Sequence, residues 1–333
     1  MLRVFLSHTP EMRANYYPGR ALAALRAVAE VVLHEGDAPL SGRALAEAAA
    51  GCAAIVADRA TPGTAATFAH APDLLAFHRV AVDVSTVDIA AASAAGVLVT
   101  QATPGFVDSV AELAIGMMVD LARGVSRYAA DFHAGRVPAP AMGRQLAGRT
   151  LGLIGYGRIA RRIAEIALAM RMRVVAHDPF APPVPPVESL PLDRLLAESD
   201  VVMPLAVATE ATRHLINAGT LARMKRGAHL VNLSRGGLVD EAALAAALES
   251  GQVAAAAMDV GSAPDQWPDP ALAARPDVVA TPHVGGLTPE AAEHQAMDTV
   301  RQVAALAAGR MPDGALNAAA AHRLARLPGW RGA

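Results

Sequence analysis

The stretch Thr150–Ala160, TLGLIGYGRIA, constrains the fold more than any other part of the chain. An apolar run through Leu151, Leu153 and Ile154 stops at Gly155-Tyr156-Gly157, and after Arg158 a helical pattern starts with Ile159, Ile163, Ile166 and Ala167. That order predicts a strand, a tight turn and a helix. The two glycines let the backbone turn sharply and let a pyrophosphate come close. The helix N-terminus beyond them offers unpaired N–H groups and the positive end of a dipole. Ala160 takes the last place of the G-x-G-x-x-G pattern. A second strand, expected over Arg173 to His177, ends at Asp178, where a carboxylate can accept hydrogen bonds from an adenosine ribose and repel a 2′-phosphate. The pattern therefore predicts an NAD site rather than an NADP site. Taken alone, it also fits a strand-to-helix turn that binds nothing.

A chain of 333 residues, 53% of them hydrophobic, suits two domains of about 150 residues with a core in each. The formal net charge of −2 gives no basic field for nucleic acid or anionic lipid, so neither partner is expected, and no metal site is expected either. Cys52 is the one cysteine; it excludes an internal disulfide and reads as a small buried hydrophobe. The N-terminus runs directly into a short strand, and no apolar run reaches the ~18 residues of a membrane span. A cytoplasmic location is expected.

Short apolar strands are expected at 3–7, 30–34, 53–57, 79–84 and 97–100, with alanine-rich helices between several of them. Such alternation implies parallel strands joined by crossover helices. A helix is expected over Val107–Arg123, with Met117 and Met118 as core filler, then a loop over Arg136–Met142. After Asp178 the proline-rich run Pro179–Pro186 reads as an extended surface connection. Strands are expected again at 200–205, 228–233, 255–260 and 278–281, alternating with helices at 192–198, 218–224 and 241–249, and a helix follows from Pro289 to about Gly309. The fold class is α/β, with two doubly wound parallel sheets.

In an open parallel sheet, ligands bind beyond the carboxyl ends of the strands. Those ends carry Gly155-Tyr-Gly157, Asp178, Asn232-Leu-Ser-Arg235, Met258-Asp259 and Pro282-His283-Val-Gly-Gly286. Singly, Arg235 fits a surface cation, Asp259 a cap, and His283 a packing histidine. Together they suit hydride transfer at a 2-oxo acid: a guanidinium binds a carboxylate and polarises a carbonyl, and an imidazole gives or takes the alcohol proton.

Over nearly its whole length the chain resembles the D-isomer-specific 2-hydroxyacid dehydrogenases. The resemblance is carried by the helix at Val107–Leu121, TLGLIGYGRIA, VNLSRGGLVDEAALAAAL and TPHVGG at Thr281–Gly286. It implies two Rossmann/flavodoxin-like domains with the active site in the cleft between them: 1–100 plus 288–333 binding substrate, and 101–287 binding NAD. It further implies that Arg235 orients substrate and that His283 is the acid/base. Asp259 would bind the nicotinamide amide, Gly155, Gly157, Arg158 and Ile159 the pyrophosphate, and Asp178 the ribose. The protein would interconvert a 2-hydroxy acid and a 2-oxo acid, of unspecified side chain, as a homodimer through its NAD-binding domain. A second reading, by resemblance to the related corepressors, is an NAD-binding sensor without turnover.

The chain departs from the family pattern at two places. Five residues beyond Asp259, where the family has a glutamate that pairs with the histidine, stands Pro264; Asp265 or Gln266 is then expected to partner His283. Without a carboxylate there, the protonated imidazole is less favoured. The family's G-x-G-x-D-N-x-D loop appears as Ala81-Val-Asp83-Val84-Ser85-Thr86-Val-Asp88, with neither glycine. Asp83 places negative charge where a substrate carboxylate is expected. It either shapes substrate choice, with Val84 beside it and Arg59 as a further anion binder, or faces solvent or pairs with Arg79 or Arg59. Tyr16, Tyr17 and Trp267 either shape the pocket or serve packing.

Overall fold

A computed structural model describes residues 1–331. It divides into two compact units, Met1–Gly105 with the segment from Thr288 on, and Phe106–Leu287.

In the first unit, β1 (Leu2–Leu6), β2 (Ala29–Leu33), β3 (Ala54–Ala57), β4 (Ala76–Arg79) and β5 (Leu98–Gln101) form a parallel sheet in the order β2-β1-β3-β4-β5. Both central strands β3 and β4 are buried at every residue; β3 is apolar throughout, whereas β4 ends on the buried polar pair His78 and Arg79. One face packs against the helices Gly19–Val28 and Pro289–Ala307. The other packs against Gly42–Ala48, Ala65–His70 and Ile89–Ala94. Cys52 lies buried in this second layer, as a small hydrophobe should. The fourth strand ends at Arg79 instead of running over 79–84: Val80 donates to Ala57, and the chain then turns away, so Ala81–Val84 is loop despite its apolar content.

The second unit is built on β6 (Thr150–Ile154), β7 (Arg173–His177), β8 (Glu188–Ser189), β9 (Val201–Pro204), β10 (Ala228–Asn232), β11 (Val253–Met258) and β12 (Val278–Ala280). Its seven strands are parallel in the order β12-β11-β10-β9-β6-β7-β8. The chain leaves β6 toward β7 on one side and returns to β9 on the other, so the order reverses at β6, directly before the glycine turn. The helix Val107–Arg123 buries Val110, Ala114, Met117 and Met118 on one face of this sheet and ends at Gly124, whose φ of 68° is a left-handed helix stop. Helices Leu192–Glu198, Ala218–Arg223 and Glu241–Glu249 cover the other face. The short edge strand β8 and the helix Val125–His133 are additional to the expected elements. Among the described residues no helix is long and apolar enough to cross a membrane, and no cluster of three or more His, Cys, Asp or Glu side chains forms a metal site.

Candidate active site

The glycine turn follows β6 without a break. Gly155 has φ 96°, and a Cβ there would stand 2.7 Å from the backbone nitrogen of Ala206, so the return loop after β9 admits only glycine. Gly157 differs. Nothing lies within 4 Å of a Cβ built on it, it is exposed, and it caps the helix Arg158–Ala169 without a side-chain acceptor for the first N–H groups. Nothing in the chain itself requires a glycine at 157; a glycine there leaves the approach to the helix N-terminus open. Ala160 is buried where this helix meets the sheet, and Arg158 is exposed at its first turn with Ile159 half-buried beside it.

Asp178, at the tip of β7, accepts from the Tyr156 N–H at 2.7 Å through one oxygen, and from the N–H groups of Phe180 and Ala181 at 2.8 and 2.9 Å through the other. Partial burial opposes its ionisation, but these three donors hold the carboxyl below its usual range. The carboxylate thus joins the glycine turn to the start of the proline run and keeps one lone-pair direction for a further donor. An open Gly157, a free helix N-terminus and an ionised acid at the next strand tip together fit an NAD diphosphate and ribose.

Three further strand tips carry the remaining polar side chains. Asn232, buried at the end of β10, accepts from the Ser234 N–H and donates to the Arg235 carbonyl, fixing the turn that leaves Arg235 exposed. One Arg235 Nη1 donor is used on the Ser234 carbonyl at 2.8 Å. Gly236 sits against Gly261, whose carbonyl oxygen would be 2.0 Å from a Cβ at 236, so the arginine turn and the segment after β11 touch through bare backbone. Asp259 is 1% exposed and committed to the histidine segment: Oδ1 accepts from Thr281 Oγ1 (2.6 Å) and the Val284 N–H (2.8 Å), Oδ2 accepts from the Gly285 N–H (2.9 Å), and its carbonyl accepts from the His283 N–H (2.9 Å).

The expected partner of His283 needs correcting. Its Nδ1 lies 3.1 Å from the backbone carbonyl of Asp265; among the described residues neither the Asp265 carboxylate nor the Gln266 amide bonds the ring. Pro264 opens a tight turn in which Asp265 and Gln266 both take left-handed φ (57° and 59°), and this geometry points the Asp265 carbonyl, not its side chain, at the imidazole. His283 itself has φ 55°. Each left-handed non-glycine residue costs roughly 1–2 kcal/mol, so surrounding contacts must impose them. Glu241, in the first turn of its helix, ties down the two ends of the 262–269 turn: it accepts from Ser262 N–H and Oγ and from the Asp269 N–H. Gly261 adds a hydrogen bond to the Gln266 carbonyl. Because a carbonyl only accepts, this contact calls for the proton on Nδ1.

In the first unit, Asp83 is exposed and its carboxylate turns back onto its own loop, accepting from the Ser85 N–H and Oγ at 2.9 and 3.1 Å. Against a burial penalty, these bonds and the nearby Arg59 and Arg79 charges hold it below the usual carboxylate range. It forms no direct ion pair with either arginine among the described residues. Val84 is half-buried and Arg59 is exposed. Tyr17 is core: it is 1% exposed, bonded to Thr299 and packed edge-on against His8. Tyr16 is half-buried, and Trp267 is half exposed.

Residues 115–285 match the NAD binding domain of the D-isomer specific 2-hydroxyacid dehydrogenases. The chain is 37% identical over 253 residues to the hydroxypyruvate reductase of Thermotoga maritima, covering 75% of this chain and 83% of that one. It is 37% identical over 267 residues to the (S)-sulfolactate dehydrogenase of Chromohalobacter salexigens, covering 78% and 86%. A D-lactate dehydrogenase with NAD+ from Lactobacillus jensenii superposes with a TM-score of 0.82 at 25% identity, covering 95% of this chain and 99% of that one. The chain belongs to the D-isomer specific 2-hydroxyacid dehydrogenase family. Its cofactor is NAD, and its general chemistry is the NAD-linked interconversion of 2-hydroxy and 2-oxo acids.

Proposed function

We propose that the protein is a cytoplasmic, homodimeric reductase of a small 2-oxo acid, with Arg235 orienting substrate and His283 exchanging the proton. The observation that carries this reading is the 3.1 Å contact of His283 Nδ1 with the Asp265 carbonyl, which calls for a proton on Nδ1 and leaves Nε2 for the proton step. NADH supplies the hydride when bound, and NAD receives it in the reverse direction. For reduction the ring is first protonated at Nε2 as well; that proton passes to the substrate oxygen as the alcohol forms, leaving the Nδ1–H tautomer to take it back in oxidation. The exposed Arg235 guanidinium keeps donors beyond the one spent on Ser234, enough to hold a carboxylate and the oxygen on which charge develops. The backbone of the turn 155–159 binds the pyrophosphate, and Asp178 binds the ribose. Asp259 acts chiefly through the loop it holds, with capacity left for an amide donor. The segment 1–105, with the chain from 288 on, acts as the substrate domain and 106–287 as the NAD-binding domain. Within the latter, Val125, Phe132, Val137 and Met142 are large exposed apolar side chains in one short stretch, which suits a face shared by two copies.

The test is NADH oxidation followed by absorbance with hydroxypyruvate, sulfopyruvate, 3-phosphohydroxypyruvate, pyruvate and glyoxylate, alongside Arg235→Ala. Turnover of at least one acid, reduced about 10²–10³-fold by Arg235→Ala, is expected. Equal turnover by the variant contradicts the assignment. A carbonyl in place of a charged partner for His283 favours the sensor as second reading; tight NADH binding with no turnover across the panel would select it.

A further inference from the structure

The loop Ala81–Asp88 keeps its shape without glycine: none of its residues has a left-handed φ. Its shape comes from Arg79, the last residue of β4, which is 1% exposed. Nε donates to the Asp83 carbonyl (3.2 Å), Nη1 to the carbonyls of Asp58 (2.5 Å) and Thr61 (2.9 Å), and Nη2 to the Arg59 carbonyl (2.9 Å) and Thr86 Oγ1 (2.8 Å). A guanidinium has five N–H donors, and all five are used. No carboxylate oxygen is among their acceptors. This buried cation therefore fastens two neighbouring loops, 58–61 and 83–86, through four backbone carbonyls and the Thr86 hydroxyl, and the bond from the Gly63 N–H to the Thr86 carbonyl extends the seam.

The consequence follows from peptide geometry. In a trans peptide the carbonyl and the next N–H point opposite ways. With the Asp83 carbonyl drawn to Arg79, the Val84 N–H points away from it. Among the described residues the N–H groups of Val82, Asp83 and Val84 meet no acceptor, while the Ser85 N–H is taken by the Asp83 side chain.

We infer that Arg79 is a positioning residue for substrate binding: by gripping the carbonyls of both loops from beneath, it presents the Val84 N–H and its neighbours as donors to the substrate carboxylate, in a loop that lacks glycine. The inference rests on the reading of the chain as a 2-oxo acid reductase. A merely structural Arg79 would alter stability alone; a positioning Arg79 alters anion affinity in protein that is still folded and still binds NADH.

The experiment uses full-length protein saturated with NADH, calorimetric titration with oxalate as an unreactive carboxylate, and steady-state KM and kcat for the best acid of the panel. Lysine keeps the charge of Arg79→Lys but not the five-donor fork. This variant is expected to weaken oxalate binding and raise KM about tenfold, with kcat and NADH affinity within about twofold of wild type. Thr86→Val removes one accepting hydroxyl and is expected to give about threefold in the same direction. If Arg79→Lys does not fold, Thr86→Val decides. Unchanged oxalate affinity in the folded variants overturns the inference, as does a parallel loss of NADH affinity or a wild type that binds no oxalate. A wild type that binds oxalate but reduces no oxo acid refutes the proposed reaction instead, and the variants still test Arg79 on oxalate affinity.

Discussion

The carboxyl ends of the two sheets are built by different means. In the seven-stranded unit each turn is held by a polar side chain a few residues away or on the adjoining strand tip: Asp178 holds the glycine turn, Asn232 the arginine turn and Asp259 the histidine segment. In the five-stranded unit the shape is imposed from below by one buried arginine, and the exposed Asp83 is free to depart from the family pattern. The lesson is that a site's shape and its chemistry can be assigned to separate residues, and the exposed residues of that loop can then change without loss of the fold.

The sharpest way to break this comparison is inside the glycine turn. Gly155→Ala forces a Cβ to within 2.7 Å of the Ala206 nitrogen at φ 96°, and a loss of about 3 kcal/mol or more is expected in denaturant unfolding. Gly157→Ala meets open space; its stability should stay within about 0.5 kcal/mol of wild type while NADH affinity falls about tenfold. Equal stability losses would erase the distinction between the two glycines.

Next in size is Asp259→Ala, which leaves the Val284 and Gly285 N–H groups and the Thr281 hydroxyl without their acceptor. Each buried orphan costs about 1–3 kcal/mol, so a clear drop in melting temperature is expected, with turnover falling as the His283 segment loosens. Full stability in this variant would show that Asp259 is not the holder of that loop.

Both units also carry histidines that burial keeps neutral: His8 and His78 in one and His229 in the other, each with its pKa lowered from 6.5 to about 4. Between those values the unfolded chain binds the protons and the folded chain does not. The stability these groups contribute is therefore present above pH 6.5 and is lost as pH falls toward 4. Urea unfolding across that range should show it, and substituting His8 or His78 should flatten the slope. A stability constant from pH 6.5 to 4 would contradict the burial of all three.

The smallest effect belongs to Asp83→Gly. Removing a negative charge from the carboxylate loop should lower KM for simple 2-oxo acids about threefold. An unchanged KM would place Asp83 outside substrate recognition.

Much of the seven-stranded unit was legible in the sequence, because each of its turns closes an apolar strand run with glycine or a polar residue. TLGLIGYGRIA, Asp178 and the tips at Arg235, Asp259 and His283 all announce themselves by spacing. The histidine's partner did not. A carboxylate at 265 suggested a side chain, whereas two consecutive left-handed residues offer a carbonyl, and only backbone geometry reveals that. Glu241 and the role of Arg79 escaped for a related reason: each is spent mainly on backbone groups of other loops and closes no strand with a turn motif, and the sequence suggests Arg79 only as an ion-pair partner for Asp83. The length of the fourth strand was misjudged because Ala81–Val84 continues its apolar composition after the hydrogen-bond ladder has ended.

The central claim, that a histidine held by a carbonyl carries the proton step while NAD binding stands apart from it, is tested most directly by His283→Ala, with NADH affinity and oxo acid turnover measured on the same sample. NADH affinity equal to wild type with turnover reduced about 10²–10⁴-fold is the expected result. Turnover close to wild type in that variant would contradict the account.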